Sequence, residues 1–332
     1  MSNAPDSTSL SPIFIVGMPR SGTTLLTSLL SAHPRIAIAP ETHYLSYWQR
    51  IYKWLNLSSA QDFALFWQTI SCSQRFSYFG IDPNKTRERI LSKGLPCHHH
   101  VFWGWLEEYA HSLNKPRWGE KTPLHYQHLS QLLTWFPHAQ VIWILRDPRA
   151  VAASLQKVPW ASNYIHIHAQ QWQESLHCFE QHWQSDDRIL LLQYESLVQK
   201  PEQALKTLCQ FLGEPYIPGM LTLRSEGHTP IVNRQGWAAQ HLHSVLKPIS
   251  AKAINKWQRD LWQPQIEIID ALTFPAAATY GYLADTSMGL HAHIILSLEK
   301  FRVKLDRKLS YWQTQLTRSP QSTGKHIGAA PK

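Results

Sequence analysis

An α/β fold, a P-loop-type parallel sheet flanked by helices, is predicted by three features of the sequence. Uninterrupted apolar runs of strand length occur at 12–17, 140–145 and 189–193. Each leads into a segment with helical signals, and the first is joined to its helix by a turn framed by Gly17 and Gly22. Runs without polar alternation read as strands buried on both faces, and strand–helix alternation implies parallel pairing. The chain of 332 residues is 43% hydrophobic, with 15 Trp and only 17% charged residues, which excludes disorder of its bulk.

The elements follow in order. Pro12 to Gly17 is the first strand, and Thr23 to Ala32 a helix stopped near His33-Pro34. Ile36 to Ala39 reads as a second short strand. Residues 48–115 are rich in aromatic residues with helical spacing, which predicts a helical cap that shapes a pocket. Gln140 to Leu145 is a strand, and Asp147-Pro148 then supplies an N-cap and a first helical residue for a helix through Leu155. A helix over about Asn163 to Trp183 leads to the strand Ile189–Gln193. Lys200-Pro201 opens a helix whose Leu205, Leu208, Cys209 and Leu212 share a face, and Gly213 stands where a C′ glycine belongs.

At the C-terminus, Ile294, Leu298, Phe301, Leu305, Leu309, Trp312 and Leu316 recur at steps of 3 or 4, interspersed with Lys300, Arg302, Lys304, Arg307 and Lys308. This is a basic amphipathic helix over 290–317. Packing onto its own domain is the first expectation, with a dimer contact or a membrane-surface contact as alternatives. The boundaries are then a disordered 1–11, one domain over 12–285, the helix at 290–317 and a disordered tail at 319–332.

The 32 Lys and Arg against 23 Asp and Glu give a net charge of +9, which suggests an anionic ligand and does not require nucleic acid. Four scattered cysteines predict a reducing compartment. With no apolar signal core before Pro12 and no stretch long enough to span a bilayer, a soluble cytoplasmic protein is expected.

The turn Gly17-Met18-Pro19-Arg20-Ser21-Gly22-Thr23-Thr24 has P-loop spacing, so its N–H groups and the helix N-terminus would face an anion. Thr23 stands where the P-loop lysine belongs, and Arg20 has appeared inside the loop. An arginine fork and hydroxyls suit a transferring group of lower charge than a nucleotide triphosphate, with no metal required. Arg146, at the carboxyl end of its strand, and Ser154, two helical turns on, offer a second anion site. Cys97-His98-His99-His100 is contiguous, which disfavours a metal centre. His166 and His168 read as packing residues.

The stretches "PRSGTT" at 19–24 and "RDPRAVAAS" at 146–154 resemble the 5′-phosphosulfate and 3′-phosphate motifs of the sulfotransferase family, which uses 3′-phosphoadenosine 5′-phosphosulfate. "EKTP" at 120–123, "QYESLV" at 193–198 and "KPISAKAINKW" at 247–257 are similar to the branch that contains protein-tyrosine sulfotransferases and many bacterial relatives. The resemblance implies that Arg20, Ser21, Gly22, Thr23 and Thr24 hold the 5′-phosphosulfate. It places the 3′-phosphate on Arg146 and Ser154, with Tyr194 near the adenine and Lys256 on the nucleotide. Lys121 would meet the leaving phosphate oxygen, and Glu41 would be the general base with its pKa raised in a water-poor pocket, His43 being the rival. A serine that acts in the branch falls near His241 or Ser244. The acceptor would carry a hydroxyl, on a tyrosyl peptide, a small alcohol or phenol, a lipid or a glycan. The alternatives are a P-loop nucleotide kinase, disfavoured by the missing lysine, and a noncatalytic nucleotide- or polyanion-binding module.

Overall fold

The computed structural model describes residues 11–222, 249–284 and 287–316. The chain divides into two compact units, Met1–Arg146 with His177–Ala253, and Asp147–Leu176 with Ile254–Lys332. His241, Ser244 and Lys247 lie outside the described residues, as do the stretches 1–10 and 317–332.

The first unit holds a five-stranded parallel sheet in the order β2-β3-β1-β4-β5. Its strands are β1 (Ile13–Gly17), β2 (Ile36–Ala39), β3 (Arg117–Lys121), β4 (Gln140–Leu145) and β5 (Ile189–Gln193). Four of them, β1, β2, β4 and β5, match strands expected from the sequence. β3 does not, because the segment that ends in "EKTP" reads as a loop from its polar sequence, yet it lies between β2 and β1 with every residue buried. Gly119 fits it there, since a Cβ would lie 2.6 Å from both Ile13 O and Ile38 Cδ1. At the other end Arg117, 2% exposed, is satisfied by Ser11 O at 2.8 Å and Leu212 O at 2.6 Å. Its guanidinium takes the place of the apolar side chain the strand lacks.

Helix α1 (Thr23–Ser31) follows β1. Between β2 and β3 the chain forms α2 (Ala60–Ser71), α3 (Gln74–Ser77), α4 (Pro83–Leu91) and α5 (His98–Ser112). Phe102 of α5 joins Phe14, Trp118 and Phe136 in one ring cluster, with Phe14 centroids 5.8–6.2 Å from the other three. Trp48, Trp67 and Trp105 are core, whereas Trp54 is 69% exposed. His98 is held among Tyr44 and Phe66, and burial lowers its pKa to about 4. After β4 come α7 (Pro148–Leu155) and α8 (Ile165–His182), with α6 (Leu129–Trp135) before it. α9 (Tyr194–Gln199) and α10 (Pro201–Leu212) follow β5, and Gly213 ends α10 in the left-handed region.

The second unit packs α7 and the start of α8 with α11 (Trp257–Asp260), α12 (Gln263–Thr273) and α13 (Leu290–Leu316). Its core is Ala150, Ala153, Ile165, Ala169, Trp257, Ile268, Ile269, Ala292 and Leu296. His166 and His168 are buried and bonded, to Glu299 and to Ser162 O at 2.8 Å. Asp147 caps α7 through the N–H of Arg149, whose guanidinium lies 4.2 Å from the Trp257 ring centre. Helix α13 packs on its unit through Ala292 and Leu296, which are buried, while Ile294, Leu298, Phe301 and Leu305 of the sequence stripe are exposed.

Candidate functional site

Parallel strands present their carboxyl ends together, and β1 leads to β2 on one side while β4 leads to β5 on the other. Their diverging ends form a switch point of the kind that binds ligands in open α/β sheets. The Gly17–Thr24 loop leaves β1 there, and Arg146 follows β4.

The loop is held open by backbone geometry. Gly17 has φ 135, and a Cβ on it would lie 2.4 Å from Ile144 O. Gly22 has φ 101 and caps α1 without a side-chain acceptor, so the first-turn N–H groups of α1 are left for an incoming anion. Arg20 also has a left-handed backbone, φ 73, as does His43 at φ 50. Such conformations are costly for non-glycine residues and recur where side chains must be aimed. Ser21 is fully buried, and its Oγ has no hydrogen-bond partner. Thr23 is buried at the first position of α1, with Thr24 beside it.

Tyr194 braces the loop from beneath. Its ring meets the position a Gly22 Cβ would take, at 2.4 Å, and the Arg146 guanidinium stacks 4.2 Å from its centre. Arg146 Nη1 also donates to Arg20 O at 3.0 Å. Burial first, and then the charge of Arg146, lower the pKa of Arg20, against the opposing effect of Glu41. Two cations are thus brought together at a loop whose next residue, Ser21, carries a buried hydroxyl without a hydrogen-bond partner. Gly22→Ala is expected to cost about 2–4 kcal/mol of stability. Gly213→Ala, at φ 70 with nothing within 4 Å, is the control for backbone strain and should cost about 1 kcal/mol. Equal losses in denaturant titrations would show that the Tyr194 contact is immaterial.

Glu41 follows β2, and Lys121 is the last residue of β3. They form an ion pair, Lys121 Nζ donating to Glu41 Oε1, while Glu41 Oε2 lies 3.0 Å from His43 Nε2. The raised pKa expected for Glu41 is reversed. Burial does push its carboxyl up, but the charge of Lys121 and the contacts of His43 outweigh this and hold it well below the usual range. Lys121 is 7% exposed, not the solvated lysine its sequence position alone would suggest.

Glu120, 1% exposed, is a residue to which sequence reasoning gave no role. Its Oε1 accepts from Thr42 N at 3.0 Å, from Thr42 Oγ1 at 2.9 Å and from Thr122 Oγ1. His125 Nδ1 lies 3.1 Å from its other oxygen. Thr42 adjoins Glu41 and Thr122 adjoins Lys121, so one buried carboxylate pins the backbone on both sides of the ion pair. The signal was the hydroxyl residue beside each charged one in "ET" and "EKT". Ser154, at the end of α7, and Lys256, whose Nζ is 3.9 Å from Asp260 Oδ2, belong to the second unit.

The sulfotransferase family profile matches residues 12–218. Protein-tyrosine sulfotransferase 1 of Danio rerio is 25% identical over 296 residues, 81% of this chain and 72% of that protein. The Drosophila melanogaster protein-tyrosine sulfotransferase is 28% identical over 265 residues, 74% of this chain but 46% of its own length. The sulfotransferase domain from the curacin biosynthetic pathway superposes with a TM-score of 0.58 at 23% identity, covering 83% of this chain and 99% of that domain. The sulfotransferase domain of the Synechococcus PCC 7002 olefin synthase has the same TM-score at 21% identity, covering 86% and 100%. At these identities the structural likeness is one of fold.

Proposed function

The chain belongs to the sulfotransferase family, and from that premise we propose that it moves a sulfuryl group from 3′-phosphoadenosine 5′-phosphosulfate to a hydroxyl acceptor, without a metal. The observation that carries this reading is the convergence of Arg20 and Arg146 beside the partnerless Ser21 Oγ at the α1 N-terminus. These groups fit a ligand with anionic oxygens, and the loop lacks the lysine of nucleotide kinases. When bound, the donor supplies the sulfuryl group, whose bond to a 5′-phosphate oxygen breaks as the acceptor oxygen bonds sulfur.

Arg20, Ser21, Gly22, Thr23 and Thr24 hold the 5′-phosphosulfate, offering charge and N–H groups to its equatorial oxygens. Arg146 takes the 3′-phosphate. Ser154, Tyr194 and Lys256 have nucleotide-binding roles that rest on the motif resemblance. Glu41 accepts the acceptor's proton. Lys121 is paired with Glu41. A move of Nζ toward the leaving phosphate oxygen would neutralise that oxygen and release the carboxylate from its strongest restraint, so one displacement both activates the base and prepares the leaving group.

The acceptor class that the relatives favour is a tyrosyl hydroxyl, since they are protein-tyrosine sulfotransferases. The test is ligand-induced stabilisation followed by labelled transfer. Adenosine 3′,5′-bisphosphate without metal should stabilise the protein by about 2.7 kcal/mol at a hundredfold excess over Kd. Greater stabilisation by Mg-ATP would refute the proposal. Labelled sulfuryl transfer onto tyrosyl peptides, phenols, alcohols, lipids and glycans then identifies the acceptor. We propose a cytoplasmic location on the sequence reading; among the described residues no helix is long and apolar enough to cross a membrane.

A further inference from the structure

We propose that the outer face of α13 docks on an anionic lipid bilayer, an inference independent of the reaction assigned above. The helix has two apolar faces. Ala292 and Leu296 are buried in its own unit. On the opposite side Leu290, Ile294, Leu298, Phe301 and Leu305 form a continuous stripe, 41–73% exposed. A helix needs one apolar face to pack on its unit, and the second is surplus to that purpose.

The charges are sorted in the same way. The helix has two acids, Glu299 and Asp306, and both engage the chain around the start of α8. Glu299 accepts from Ile165 N at 3.2 Å and from His166 N at 3.3 Å, and is 2.5 Å from His166 Nδ1. Asp306 accepts from Tyr164 OH at 2.8 Å. Lys300, Arg302, Lys304 and Lys308 are exposed around the apolar stripe. An apolar face bordered by cations, with its acids turned away, complements the acyl boundary and the negative headgroups of a bilayer surface. In sequence Leu309, Trp312 and Leu316 follow at the same steps of 3 or 4, and 317–332 adds Arg318, Lys325 and Lys332 with no acid. A second copy of the chain is the poorer occupant: stripe against stripe would set these cations against their own counterparts while both acids are engaged within their own unit.

The test is co-sedimentation of the full chain with phosphatidylcholine vesicles, with and without phosphatidylglycerol, alongside light scattering. Binding should require phosphatidylglycerol and weaken with salt. Leu298→Glu/Phe301→Glu should lower it at least about tenfold. Lys300→Gln/Lys304→Gln should lower it about fivefold for each charge removed. These side chains are exposed, and an unchanged thermal midpoint verifies folding of each variant. Absence of vesicle binding, equal binding to both compositions, or a dimer that Leu298→Glu/Phe301→Glu converts to monomer without any vesicle binding by the parent chain, each overturns the proposal.

Discussion

Glu41→Gln is expected to lower kcat by about 10²–10⁴-fold without weakening the affinity for adenosine 3′,5′-bisphosphate. The substitution is nearly isosteric, keeps an oxygen for Lys121, and removes the capacity to take a proton together with the charge that holds the Lys121 ammonium. Steady-state kinetics on any acceptor that turns over, with a nucleotide titration, measures both quantities. Full turnover in the variant would remove Glu41 from the mechanism. The pH profile separates it from its neighbour. Lys121 and His43 hold the Glu41 carboxyl well below the usual range in the free protein, so the acid limb of kcat/KM should fall below the ordinary carboxylate window. A limb between about pH 5 and 8 would assign the role to an imidazole instead. Because kcat reports the complex, in which the proposed move of Lys121 to the phosphate would free the carboxylate, its acid limb should lie at higher pH than that of kcat/KM.

The second large effect is expected from Lys121→Met, which should lower kcat by about 10²–10³-fold, the scale of losing one charged donor at a developing anion. It also alters the base. Burial is the largest influence on the Glu41 carboxyl and acts upward, so loss of the opposing ammonium lets the pKa rise and moves the acid limb of kcat/KM up in pH. A residue that acted only on the leaving group would not move that limb. The Glu41→Gln/Lys121→Met double variant should lose less than the product of the two single losses, because the side chains share one contact. Strict multiplicativity would mean that they act separately.

The site was legible where local chemistry dictates it. Gly17 and Gly22 frame a strand-to-helix turn, and the positive φ that each requires is met with little strain only by glycine. Arg20, in the lysine's absence, and Arg146 after an apolar strand were likewise visible from spacing. Glu120 was not, because a carboxylate in a polar stretch looks solvated until Thr42 and Thr122 are brought to it from two strand ends. Nor was the lowered pKa of Glu41, which depends on an ammonium 80 positions away.

By itself the sequence determined the parallel sheet, the glycine-framed strand-to-helix loop and the helical pattern of the chain, since apolar run length, glycine conformation and capping residues act over a few positions. The tertiary structure decided three things that depend on distant neighbours. It made "RWGEK" a buried strand, because Gly119 admits close neighbours on both sides and Arg117 finds acceptors at its end. It joined Glu41 to Lys121 and so favoured the charged form of the Glu41 carboxyl. It turned the apolar stripe of α13 outward, because Ala292 and Leu296 fill the unit's core and the acids find partners at the start of α8. Helical periodicity records that a face is apolar, and only packing decides which of two such faces is buried.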